Sequence, residues 1–140
     1  MYQKKNFFNA AEALSGIIKQ TPLLWSKKLN ETLGFNLYLK AECLQRTGSF
    51  KLRGAYYCMQ QEFVTGGKRD VVAFSSGNHA QGVALAAKLQ NVKATIVMPT
   101  DAPDSKINNT KALGANVIFY DRYNESREKI AEDFSNESGA

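Results

Sequence analysis

The hydrophobic pattern of this chain changes period along its length. Phe7, Ala11, Leu14, Ile17 and Ile18 recur at helical spacing, which predicts a first helix capped by Asn6 and running to about Lys19. Thr21-Pro22 is expected to end it, because proline removes a backbone donor and restricts the residue before it. Ser26 to Leu33 reads as a short helix closed by Gly34. Asn36 to Glu42 alternates apolar with polar or smaller residues and reads as a strand. From Phe50 the helical face returns through Leu52, Ala55, Tyr56, Met59 and Phe63 to about Val64, until Gly66-Gly67 breaks it.

Beyond that break the pattern is regular. Val71–Phe74, Ala94–Met98 and Val117–Tyr120 are short apolar runs of buried-strand type. Helical stretches follow them, from Asn78 to about Leu89, from about Asp104 to Leu113 and from about Asn124 to Asn136. Pro99 stops the second run and Gly114 ends the second of these helices. Strands alternating with helices of this length imply parallel βαβ crossovers. The predicted fold class is therefore α/β, an open parallel sheet with helices on both faces.

Composition narrows the function classes. The 140 residues are 44% hydrophobic and 22% charged, ordinary for a globular domain. A net charge of +5 is scattered, with Lys4-Lys5, Lys27-Lys28 and Lys68-Arg69 as its doublets, and forms no basic stripe of the kind that binds nucleic acid. Cys43 and Cys58 have no metal-site spacing, a single histidine rules out a histidine-based metal cluster, and both thiols are read as reduced in a cytoplasmic compartment. Met1 to Asn6 is followed by no apolar segment of signal-peptide type, and no run approaches the roughly 20 residues that span a bilayer.

Two stretches carry candidate chemistry. In Thr47-Gly48-Ser49-Phe50-Lys51, turn-forming residues precede a helix, and Ser49 is placed to accept from the first-turn amides. Lys51 then lies in the first turn, where the helix dipole disfavours a cation, and burial behind Phe50 would add to that. A neutral amine there is a nucleophile for a carbonyl carbon. The competing reading is one surface lysine among many. The turn Ser75-Ser76-Gly77-Asn78-His79 sits at the carboxyl end of a predicted strand, where open α/β sheets bind ligands. Its hydroxyls, carboxamide and helix-start amides suit a carboxylate or phosphate. Equally, Ser and Asn there are ordinary helix caps. His79 reads either as a general base or as a packing residue. Ser76 and His79 do not make a hydrolase site, since the G-x-S-x-G elbow is missing, and the glycines match neither dinucleotide nor nucleotide-triphosphate loops.

Taken together, the two stretches point to a family. Lys40-x-Glu42, Gln45 and Thr47-Gly48-Ser49-Phe50-Lys51-x-Arg53-Gly54-Ala55 closely resemble the lysine motif of threonine/serine dehydratases and serine racemase. These are pyridoxal-phosphate enzymes of the tryptophan-synthase-β fold, fold type II. Ser75 to Ala84 is similar to that family's second motif, and Val97-Met98-Pro99, Ala102-Pro103, Lys106 and Leu113-Gly114-Ala115 to its next stretch. Cys43 stands where the family pattern has Asn.

The resemblance implies roles. Lys51 would hold pyridoxal 5'-phosphate as a Schiff base and then act as base at the substrate α-carbon. Phe50 would flank the cofactor ring, and Asn78 would bond its 3-hydroxyl. Ser76, Gly77, Asn78 and His79 would bind the substrate carboxylate, with Ser76 also catalytic on the ring face opposite the lysine in the racemase branch. The implied reaction converts L-threonine or L-serine into a 2-oxo acid and ammonia, as in isoleucine biosynthesis. Serine racemase is one alternative, and a non-catalytic anion-binding domain is another. No metal site is implied. Family members are more than twice this length and carry a glycine-rich phosphate cup absent here. Residues 1–50 would be the entry of the large domain with its lysine motif, and 51–140 the small domain, of an enzyme expected to form homo-oligomers. The 140-residue piece alone is expected to be inactive.

Overall fold

A computed structural model describes residues 3–67 and 69–140; Met1, Tyr2 and the Lys68 half of the Lys68-Arg69 doublet lie outside them. Helix α1 spans Lys4–Ala13. It starts earlier and stops sooner than expected. The Gln3 amide donates to Asn6 Oδ1 at 2.8 Å, so Asn6 lies inside the first turn rather than at the cap. Leu14 closes the helix, and Gly16 turns the chain in the left-handed region at φ +73°, well before Pro22. The strand expected over Asn36–Glu42 is shorter, β2 at Tyr38–Lys40. It pairs antiparallel with an unanticipated strand, β1 at Leu23–Trp25, with Leu24 opposite Leu39. Between them α2 runs Lys27–Leu33, capped by the Ser26 hydroxyl and closed by Gly34 at φ +73°. Glu42–Leu44 forms one tight helical turn instead of extending the strand.

The remainder follows the predicted alternation. Helix α3 covers Lys51–Gly66 and leads to β3, Val71–Phe74. Helix α4, Asn78–Gln90, connects to β4 at Ala94–Pro99, and α5, Asp104–Ala112, connects to β5 at Asn116–Tyr120. Helix α6 covers Arg127–Ser138, starting three residues later than expected. The delay comes from Asp121, whose carboxylate accepts from the Tyr123 amide and the Asn124 side chain and holds a turn ahead of the helix.

The three later strands form one parallel sheet in the order β3-β4-β5. Val71 pairs with Ala94 and Thr95 with Asn116. Every residue of β4 is buried, as expected for a central parallel strand. On one face Ile96 and Met98 pack with Leu52, Ala80, Ala84 and Ile107 of α3, α4 and α5. On the other, Val97 and Tyr120 pack against Ala131 of α6. The sheet is thus covered on both faces. Gln81 to Ala87 of α4 is buried throughout, because this helix is enclosed by the sheet, α3 and α5. Its alanines and Gly82 let α3 approach closely.

Polar links hold the first fifty residues together, and one of them fastens the segment to this unit. Arg53 donates twice to the Glu42 carboxylate, at 2.7 and 2.8 Å, and the Thr21 hydroxyl donates to it at 2.5 Å. These donors hold Glu42 at a pKa of about 2, against an ordinary 4.5, chiefly through the bond from Arg53. The Gln45 carboxamide bonds both the amide and the carbonyl of Lys19, each at 2.9 Å.

Candidate functional site

Lys51 opens α3, and its amide meets Ser49 Oγ at 3.5 Å, so Ser49 acts at the expected end of the helix as a long, weak partner. Its side chain is half-buried, with Nζ 5.0 Å from the centroid of the Phe50 ring. The expected burial behind Phe50 is only partial. That ring is 58% exposed, because it precedes the helix on the solvent side while Leu52 turns into the core.

The second stretch lies directly beside it. A Cβ placed on Gly82 would come within 3.0 Å of the Lys51 carbonyl carbon and of its Cβ, so the α4 backbone rests on the start of α3. His79 lies one turn earlier on α4. Desolvation, and then the charge of Lys51, push its imidazole below the ordinary 6.5, which keeps it neutral at pH 7. The structure therefore brings Lys51 and the start of α4 together, as the two motifs require.

The helix-cap reading of the Ser75–His79 turn is not realised. Gly77 occupies the cap position and no side chain caps α4. The Ser75 hydroxyl instead accepts from the Gly77 amide at 3.2 Å. Ser76 and Asn78 are exposed, and Gly77 is half-buried with open space where a Cβ would stand. Uncapped first-turn amides, an exposed hydroxyl and a glycine are what an anionic group at a helix start needs.

Sequence reasoning missed two contacts here. Lys106 of α5 donates from Nζ to Asn78 Oδ1 at 2.7 Å. A lysine in the first turn of a helix, where the dipole disfavours it, was a signal that it serves another element. The Glu42–Arg53 pair was the other, signalled likewise by an arginine in the first turn of α3.

A groove of about 490 Å3 runs along β3 and α3, lined by Ala55, Cys58, Met59, Val83 and His79. Lys51, Ser76, Gly77 and Asn78 do not line it; they lie on the open surface around the starts of α3 and α4, which is the candidate site. Among the described residues no cluster of three or more His, Cys, Asp or Glu side chains could hold a metal ion. Nor is any helix there long and apolar enough to cross a membrane.

The residues present fit part of a pyridoxal phosphate. The cleft offers a primary amine, an exposed aromatic face, a carboxamide and an uncapped helix start. It offers no glycine-rich phosphate cup.

Comparisons with known proteins agree with this arrangement. A family model described as pyridoxal-phosphate dependent enzyme matches residues 14–140. An L-threo-3-hydroxyaspartate ammonia-lyase from Pseudomonas sp. is 50% identical over 130 residues, which are 93% of this chain and 41% of that protein. An L-threonine ammonia-lyase from Thermotoga maritima is 52% identical over 110 residues, 79% of this chain and 27% of its own length. The structure of maize serine racemase superposes with a TM-score of 0.84 at 39% identity, over 97% of this chain and 41% of that one. The chain thus spans about two-fifths or less of the length of these relatives.

Proposed function

The chain belongs to the family of pyridoxal-phosphate dependent enzymes, in its branch of ammonia-lyases and racemases, and we propose that the whole protein dehydrates a 3-hydroxy-α-amino acid, L-threonine or L-serine, to an enamine whose hydrolysis gives a 2-oxo acid and ammonia. The observation that supports this reading is the approach of α4 to α3 at Gly82, which rests the backbone of Lys51 against the helix that follows the uncapped Ser76–Asn78 turn.

When bound, pyridoxal 5'-phosphate supplies the electron sink for breaking bonds at the substrate α-carbon. Lys51 holds the cofactor through Nζ and moves the α-proton. Phe50 presents its exposed ring to the cofactor face, and Asn78 donates to the ring's hydroxyl oxygen. The substrate carboxylate is received by the amides and hydroxyl of Ser76 and Gly77, with neutral His79 beside them. Loss of the α-proton and the β-hydroxyl gives an enamine that hydrolyses to a 2-oxo acid and ammonia. Residues 1–50 serve as the entry of a larger domain and 51–140 as the smaller one, in a cytoplasmic homo-oligomer.

Serine racemase is the second reading, supported by exposed Ser76, which the resemblance puts on the cofactor-ring face opposite the lysine, and by the likeness to the maize racemase. Product analysis of the full-length protein decides. Incubation with L-threonine and L-serine is expected to release 2-oxobutanoate or pyruvate with one equivalent of ammonia. D-serine as the main product would replace the lyase with the racemase, and turnover unaffected by Lys51→Ala would remove both.

A further inference from the structure

We propose that Lys106 is a positioning residue, which fixes the Asn78 carboxamide so that its Nδ2 donors face the cleft beside Lys51. The proposal rests on the cofactor reading above for its purpose, and on geometry for its existence. A lysine ammonium can only donate. An amide that receives it, here at 2.7 Å, must present Oδ1 to α5 and turn its two N–H donors away. An unrestrained exposed asparagine would sample both orientations, one of which offers an oxygen to any incoming anionic oxygen and repels it.

The lysine is itself held. The Thr110 hydroxyl, fully buried, donates to the Lys106 carbonyl at 2.8 Å, and Ile107 is buried in the core beside it. The first turn of α5 is thus anchored to the sheet face, and the ammonium reaches across to α4. A charge-assisted bond of this length is stronger than a neutral one. It also offsets the cost of placing a cation at the positive end of a helix. The arrangement selects for an anionic oxygen on the ligand, because Asn78 then offers only donors on that side.

The test uses the isotopically labelled 140-residue chain, with the side-chain amide signals of Asn78 read by NMR, first alone and then titrated with pyridoxal 5'-phosphate. Lys106→Met is expected to shift the Asn78 carboxamide signals while those of Gln45 and Gln81 hold, and to weaken pyridoxal phosphate about tenfold, the usual worth of one charge-assisted bond. Lys106→Arg, which still donates, should restore both. In an Asn78→Ala background Lys106→Met should change affinity no further. Unchanged Asn78 signals in Lys106→Met would overturn the proposal. So would an equal tenfold loss in the Asn78→Ala background, since Lys106 would then act as a bare charge. A carboxamide shift with no change in pyridoxal phosphate affinity would uphold the contact and overturn its role toward the cofactor.

Discussion

The two halves of this chain are held together by different means. In the α/β unit from α3 to α6, the central strand β4 is buried at every residue, and two apolar clusters cover the sheet's two faces. In the first fifty residues both strands are exposed throughout, and Phe7, Phe8, Trp25 and Phe35 are each more than half exposed. That segment is tied down by the Glu42–Arg53 pair and the Gln45–Lys19 bonds rather than by a core of its own. An antiparallel pair with both faces wet gains little from burial, whereas a parallel strand needs cover on both sides. The candidate site sits where the two halves meet, with Lys51 the first residue of the packed unit.

The largest effect should come from emptying the packed half. Ile96→Ala, at a side chain with no exposure, is expected to cost about 2–5 kcal/mol, whereas Leu24→Ala on exposed β1 should stay within about 0.5 kcal/mol. Urea denaturation of both variants checks this, and equal losses would erase the contrast between the halves.

Next comes the contact that forms the cleft. Gly82→Ala places a methyl within 3.0 Å of the Lys51 backbone, so α3 and α4 must separate, at an expected cost of about 1–3 kcal/mol. Gly54→Ala, with open space around it on α3, should be neutral or slightly stabilising.

An effect of similar size, read against pH, tests the tether. The Glu42 carboxyl lies below its unfolded value, so its contribution is fully present above about pH 4.5 and is lost as pH falls toward 2. Stability should therefore drop by about 2 kcal/mol between pH 5 and pH 2 in excess of the drop in Glu42→Gln, in which the charge is already gone. Parallel pH dependences would show that the pair does not fasten the first half.

The same division decides how much the sequence disclosed. The β3-to-α6 alternation was legible because each strand is an apolar run bounded by Gly, Pro or a cap, and burial on both faces leaves little room for other patterns. Strand β1 was hidden because Leu23-Leu24-Trp25 follows Pro22 without alternation and buries nothing. The early stop of α1 was hidden because Leu14, Ile17 and Ile18 keep helical spacing in a segment that is not helical. Lys51 and the Ser76–His79 turn were visible as motifs, since backbone constraint and chemistry both act on residue type there. Their juxtaposition was implied only by the family resemblance; its physical basis, the small Gly82 between α3 and α4, shows only when the helices are packed. The exposure of Phe50 was not legible, since an apolar residue next to a helix start carries no local sign of which way it points.

The central claim is that Lys51 is the amine of a cofactor site, and reductive trapping tests it most directly. The 140-residue chain would be mixed with pyridoxal 5'-phosphate, reduced with borohydride, and its intact mass and labelled peptide determined beside Lys51→Ala. One phosphopyridoxyl group mapped to Lys51 and missing from the variant is the predicted result. Labelling spread over many lysines, equal in the two proteins, would contradict it.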